Sequence, residues 1–220
     1  MIGPLFEWDW VFGHLSEIGH QTWEHLVLTA IAVVLGLAIS FPLGVFAFRH
    51  RRAYAPITWV TGLLYTIPSL ALFVLLVPIF HLTTTTAEIG LVSYTLLILI
   101  RNIVAGLDGV PSDAKEAALG MGYTRRQLLW KVELPLALPV IIAGIRIATV
   151  TTIGLVTVTA LIGKGGLGQF ILQGLNLFFS TPTILGAVLS VVLALAADAA
   201  LLVAQRLLTP WTRAARARAS

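Results

Sequence analysis

A chain of 220 residues with only 11% charged side chains, 58% hydrophobic residues and a mean hydropathy of +0.94 falls far below the roughly 25% charge of soluble domains. That composition excludes an ordinary water-soluble domain, and the lack of cysteine excludes disulfides and thiolate metal sites. The net charge of +4 hides an asymmetry, because bases follow some apolar runs and acids follow others.

Residues 1–21 begin with Glu7 and Asp9 instead of a basic region, and no A-x-A-like cleavage site follows, so they do not read as a secretory signal. Trp8, Trp10, Phe12 and Trp23, mixed with His14 and His20, read as an interfacial segment, since indole rings favour the headgroup zone. A bilayer core of about 30 Å needs about 20 mostly apolar residues per helix. Five segments qualify, near 22–48, 56–80, 89–107, 135–160 and 182–207. Helices satisfy their own backbone groups in hydrocarbon, so the expected fold class is an all-α membrane protein with five transmembrane helices.

Charge sets the expected orientation. Arg49, Arg51 and Arg52 follow the first segment, Lys115, Arg125, Arg126 and Lys131 the third, and Arg206, Arg213, Arg216 and Arg218 the fifth. Glu7, Asp9, Glu17, Glu24 and Glu88 lie on the other side, with Lys164 the only base there. The positive-inside rule then places the N-terminus outside and the C-terminus inside. The basic tail, residues 209–220, reads as cytoplasmic and next to the membrane, with no nucleic acid as partner.

The loop 108–134 carries its own signals. Pro111 ends a run, and Asp113 stands three residues before Glu116, a capping-box spacing that starts a helix. Ala114, Ala117 and Ala118 extend it with little bulk, and Gly120 and Gly122 break it. Thr124 and Gln127 repeat the spacing and predict a second helix, Arg125 to Glu133, ended by Pro135. The expected product is helix, glycine turn, helix; a merely structural hairpin between two spans has the same caps.

Further along, Gly163, Gly165, Gly166 and Gly168 surround Lys164, but a Walker A loop needs Gly, four residues, then Gly-Lys-Ser/Thr, so no nucleotide site is expected. These glycines predict a break after the fourth span and a short helix near Gly168–Phe179. Gly36, Ser40 and Gly44 on the first span, and Ala196, Ala200 and Ala204 on the fifth, recur every four residues, the spacing that lets membrane helices approach. Asp198 and Arg146 lie at matching depths on antiparallel spans, so they are expected to pair, with Arg101 as the alternative partner. The competing reading is a neutral Asp198 bonded to a hydroxyl or lining a wet crevice. His14, His20, His25, His50 and His81 are scattered without ligand spacing, and neither H-E-x-x-H nor G-x-S-x-G occurs, which argues against an intramembrane enzyme.

Glu116-Ala117-Ala118, Gly122 and Val132-Glu133-Leu134-Pro135 match position by position the EAA-x3-G-x9-I-x-LP pattern, with Val132 in place of Ile. In this the chain resembles permease subunits of binding-protein-dependent ABC importers. Tyr65-Thr66-Ile67-Pro68-Ser69-Leu70-Ala71-Leu72-Phe73, Arg101-Asn102, the run Lys131 to Pro139, and Ala160-Leu161-Ile162-Gly163 are similar to osmoprotectant permeases for glycine betaine, carnitine or choline. The likeness covers about residues 22 to 208, as a transmembrane domain of the type I importer kind.

The resemblance implies that Glu116, Ala117, Ala118 and Gly122 couple the chain to a separate ATPase. It also implies cytoplasmic ATPase subunits carrying ATP and Mg, an extracytoplasmic substrate-binding protein, and a second permease copy or paralogue. No cofactor is expected on this chain itself. Methionine or another small solute is the alternative cargo. Thr149, Thr152 and Thr159 share a helical face with Arg146, and with Thr66 and Ser69 beside Pro68 they are expected to line the route. Threonines that only bond back to carbonyls are the competing reading. The four glycines at 163–168 are the expected outer gate, or else a plain connector.

Overall fold

The computed structural model describes residues 5–211, and every regular element among them is helical. Residues 212–220, which hold three of the four tail arginines, lie outside the described residues, as do residues 1–4. A short helix α1 (Trp8–Gly13) leads into α2 (Leu15–Arg49), which starts well before the expected residue 22. Trp10 packs its ring edge-on to Phe170 and Phe179, at 6.0 and 5.9 Å between centroids. The start of the chain is thus a packed element as well as an aromatic belt, with Trp8, Phe12 and Trp23 left exposed.

The expected second span is broken in two. Helix α3 (Arg51–Thr66) and α4 (Ser69–Phe80) meet at a 94° bend around Ile67 and Pro68. Proline has no N–H and disfavours helical backbone at the residue before it, and Ile67 is accordingly extended with ψ 128°. The Tyr94 hydroxyl donates to the Ile67 carbonyl, which the break would otherwise leave unsatisfied. At 1.5 Å per residue the two pieces measure about 24 and 18 Å, so neither alone reaches across the hydrocarbon core.

Helix α5 (Thr84–Asp108) is the centre of the bundle and packs on α2, α3, α4 and α8. Thr83 caps its start by accepting from the Thr86 amide. The stripe Gly36, Ser40 and Gly44 faces it: a Cβ on Gly36 would come within 1.9 Å of Thr95 Oγ1, and one on Gly44 within 2.7 Å of Ile103. That stripe therefore serves a contact inside the protomer. Two apolar clusters lie along the bundle, one around Leu28, Phe73, Leu91 and Val156, the other around Ile103, Leu107, Leu129 and Ile141.

The loop forms α6 (Ser112–Gly120) and α7 (Arg125–Leu128), then a π-helical turn (Leu129–Glu133) that continues without interruption into α8 (Leu134–Val158). Pro135 therefore does not end a helix, contrary to expectation. The widened π turn lies directly before it, where a regular helix would have to absorb the lost N–H and the ring clash. A 3₁₀ turn (Thr159–Ile162), the glycine run, α9 (Gly168–Leu177) and α10 (Ser180–Leu208) complete the chain. Four helical stretches are long and apolar enough to cross a bilayer, and the bent pair makes a fifth if counted as one span.

His25, expected near the interface, is fully buried instead and donates through Nε2 to the Ile153 carbonyl at 3.0 Å, tying α2 to α8. Ala196 and Ala200 are exposed on α10, and Ala204 is half-buried.

Overpacking a close helix contact costs about 1–3 kcal/mol. Gly36→Ala is expected to lower the thermal unfolding midpoint of the detergent-purified protein, whereas Gly19→Ala, with open space around it, is not.

Candidate functional site

The loop between α5 and α8 is built as a fixed hairpin. Helix α6 opens two residues earlier than expected, with Pro111 before it, so Asp113 sits in the first turn and is not the cap; its Oδ1 accepts from Ser112 Oγ at 3.2 Å. An acid there still suits the positive end of the helix dipole. At the other end the Tyr123 amide donates to Ala118 O and the Gly122 amide to Leu119 O, a Schellman closure. Gly122 has φ +83°, a conformation a side chain would strain, so glycine is required at this turn. Thr124 and Gln127 complete a true capping box: Thr124 N donates to Gln127 Oε1 at 2.8 Å and Gln127 N to Thr124 Oγ1.

Long cations fasten this hairpin to the bundle. Lys115 donates to the Leu107 carbonyl at the end of α5 and lies over the Phe48 ring. Arg49 donates to the Arg125 carbonyl at 3.2 Å. Arg51 forms a two-pronged pair with Asp108, with Nη1 2.8 Å from Oδ2, joining the start of α3 to the end of α5. The sequence reading used these arginines only for orientation; Asp108 at the matching end of a neighbouring span was the overlooked signal.

On the outward side of the hairpin, Glu116 and Ala117 are exposed, with Leu119 and Met121 beside them, Met121 at 69% exposure. Large apolar side chains standing out of a polar loop mark a surface that another molecule can cover. Ala118 differs from its neighbours in being buried.

Arg146 and Asp198 come together in a bidentate pair, Nε to Oδ1 and Nη2 to Oδ2, both at 2.8 Å. Nη1 also donates to Gln205 Oε1, and Gln205 Nε2 donates to the Pro139 carbonyl at 3.0 Å, so α8 and α10 are clamped at two levels. The pair is only partly covered, its side chains being 24% and 36% exposed, and it opens on a groove of about 640 Å³ between α8 and α10. Arg101 stands apart, on a separate groove between α3 and α5 together with Thr66. Ser69 is half-buried in the first turn of α4, just past the break.

The threonine stripe turns away from both grooves. Thr149, Thr152 and Thr159 are 9%, 1% and 0% exposed, and the hydroxyls of Thr149 and Thr159 donate to Ile145 O and Val156 O. Ile147, Val150 and Thr151 line the groove beside Arg146 in their place. A threonine that bonds back to its own helix packs as an apolar residue, and these three are buried within the protomer.

The glycines at 163–168 form a filled corner. Gly163 and Gly166 have positive φ, and a Cβ on Gly166 would meet Gln21 O and the His25 backbone at 2.6–2.7 Å. Gly165 and Gly168 press equally close on Ala160 and Thr157 at the end of α8. Among the described residues no group of acids and histidines is placed to hold a metal.

A bundle of apolar helices long enough to cross a bilayer, carrying a two-helix loop with an uncovered apolar edge, is the build of an integral membrane protein with a surface left free for another molecule. Residues 32–213 match the family described as binding-protein-dependent transport system inner membrane component, and the chain belongs to that family. It is 39% identical over 195 residues to the choline transport system permease protein OpuBB of Bacillus subtilis, covering 89% of this chain and 90% of that one. It is 40% identical to the osmoprotectant import permease protein OsmW of Salmonella typhimurium, over 90% and 93% of the two chains. Among solved structures, the inward-facing MetNI methionine ABC transporter has the same fold, with a TM-score of 0.78 at 23% identity, covering 90% of this chain and 98% of that one.

Arg146→Asp and Asp198→Arg are each expected to lower the unfolding midpoint of the purified protein, and the two changes together to recover part of the loss. A thermal-shift series on the four proteins measures it, and full additivity of the two single changes would mean that the pair contributes no coupling.

Proposed function

We propose that this chain is the permease subunit of an ABC importer for a quaternary-amine osmoprotectant such as glycine betaine, choline or carnitine. The similarity to osmoprotectant permeases along nearly the whole chain carries the reading. The chain lies in the membrane with five spans, the bent pair α3–α4 being one of them, its N-terminus outside and its C-terminus inside. The cations Arg49, Arg51, Lys115 and Arg125 gather at the loop end of the bundle, in keeping with that orientation. A second copy or a paralogue closes the pathway, a binding protein delivers the solute outside, and a separate ATPase supplies ATP and Mg inside.

The exposed edge of α6 is the ATPase contact. Glu116, Ala117 and Gly122 present a carboxylate, a small face and a tight turn, while Ala118 seats the hairpin on the bundle. Because Arg49 and Lys115 tie this hairpin to α2 and α5, and Arg51 ties α3 to α5 through Asp108, a push on α6 moves those helices as one body. The glycine corner at 163–168 is the gate element on the outer side. Methionine is the alternative cargo, supported by the shared fold with a methionine transporter.

Cells lacking other osmoprotectant importers, supplied with this chain and its cognate ATPase and binding protein, are expected to accumulate labelled glycine betaine and not labelled methionine. Methionine uptake without betaine uptake would replace this reading by the alternative. In the same cells Glu116→Ala and Gly122→Leu are expected to lower uptake tenfold or more at unchanged membrane levels. One lost charge-assisted hydrogen bond at Glu116, about 1.5–3 kcal/mol, corresponds to a loss of tenfold or more. Normal uptake by both variants would remove the coupling role from the loop.

A further inference from the structure

Two arginines lie within the apolar helices of the bundle, and they differ in one respect. Arg146 is neutralised by Asp198, while Arg101 is exposed and has neither an ion pair nor a hydrogen bond among the described residues. It lines a groove of about 610 Å³ between α3 and α5, and no other residue lining that groove carries a charge. A guanidinium within a membrane span does not face hydrocarbon unaccompanied; it marks a wet path or a place where an anion arrives.

The rest of the groove narrows the choice of anion. Arg101 lies seven residues before the end of α5 and Trp59 eight residues after the start of α3, so both sit about 10–12 Å from the loop end of the bundle. Trp59 is 67% exposed, and Tyr65 lies on the same wall with its ring edge-on to Tyr94, 5.8 Å between centroids. Tyr94 is itself held by its bond to Ile67 O at the break in the span, so Tyr65 is oriented by the bend. Gly62 keeps the wall open between the two rings. Thr58 and Thr66 donate their hydroxyl protons to Tyr54 O and Leu63 O, which leaves the guanidinium as the charged donor available to a ligand.

A fork of N–H donors suits a carboxylate, and aromatic ring faces suit a quaternary ammonium. We propose that this groove is a substrate-recognition site on the permease itself, in which Arg101 takes the carboxylate of a quaternary-amine zwitterion and Trp59 and Tyr65 take its ammonium end. This rests on the importer reading above and goes further: the permease, and not only its binding protein, distinguishes zwitterions such as glycine betaine from choline, which has no carboxylate.

The test is equilibrium binding of radiolabelled glycine betaine and choline to the transporter assembled with its ATPase in nanodiscs, with no binding protein present. The wild-type assembly binds betaine more tightly than choline. Arg101→Gln weakens betaine at least tenfold and leaves choline unchanged, Arg101→Lys loses less, and Trp59→Leu weakens both. The proposal is overturned if the wild type binds no betaine at millimolar concentration or if Arg101→Gln leaves betaine binding unchanged. It is also overturned if betaine and choline fall by one factor, the result expected when Arg101 instead pairs with an acid of a second copy. Failure of the importer reading is seen separately, as absence of betaine uptake by cells carrying the wild-type chain.

Discussion

Hydrocarbon offers no hydrogen bond to a stray carbonyl and no counter-ion to a stray charge, and that constraint organises this protein. Three places among the described residues carry a local remedy. The carbonyl freed at Ile67 is taken by Tyr94, the π turn directly precedes Pro135, and Arg146 is met by both oxygens of Asp198. Irregular backbone at membrane depth is tolerated where protein or a cavity surrounds it, and the α3–α4 bend lies directly beside the groove that Thr66 and Tyr65 line.

Central packing follows from the same constraint. With lipid tails as apolar as the side chains, helices gain from fit more than from burial. Gly36 and Gly44 let α2 lie against Thr95 and Ile103 of α5, and α5 then supports α3, α4 and α8 around it. Helix α10 stands at the margin: only 6% of its apolar window is buried, and its hold on the bundle comes from α9, α8 and the Arg146–Asp198–Gln205 clamp. A rigid centre with a lightly held margin is a workable layout for a subunit whose remaining surfaces meet lipid or another chain.

The loop extends the rigid centre outside the membrane. Its two helices are joined by a turn that only Gly122 fits without strain, and its base is fixed to α5 by Lys115 and to α2 by Arg49, while the Arg51–Asp108 pair joins α3 to α5 beside it. What stays uncovered is a small edge with Glu116, Leu119 and Met121.

Much of this was legible in local patterns. Apolar runs, one-sided bases and the spacing of Thr124 with Gln127, or of Glu116 with Gly122, involve residues close together in the chain, and short-range physics decides them. They sufficed for membrane insertion, the helical class, the family and the hairpin. The pairing of Arg146 with Asp198 was within reach too, since depth along two helices is counted from their ends. Which way a helix face turns was not, because Thr149 and Thr152 share a stripe with Arg146 but pack inward once α5 and α2 occupy that side. The sharpness of the bend at Pro68, the continuity through Pro135, the burial of His25 and the isolation of Arg101 all depend on neighbours dozens of residues away. Those contacts are chosen by fit between whole helices, a property of the folded bundle that no stretch of the chain carries by itself.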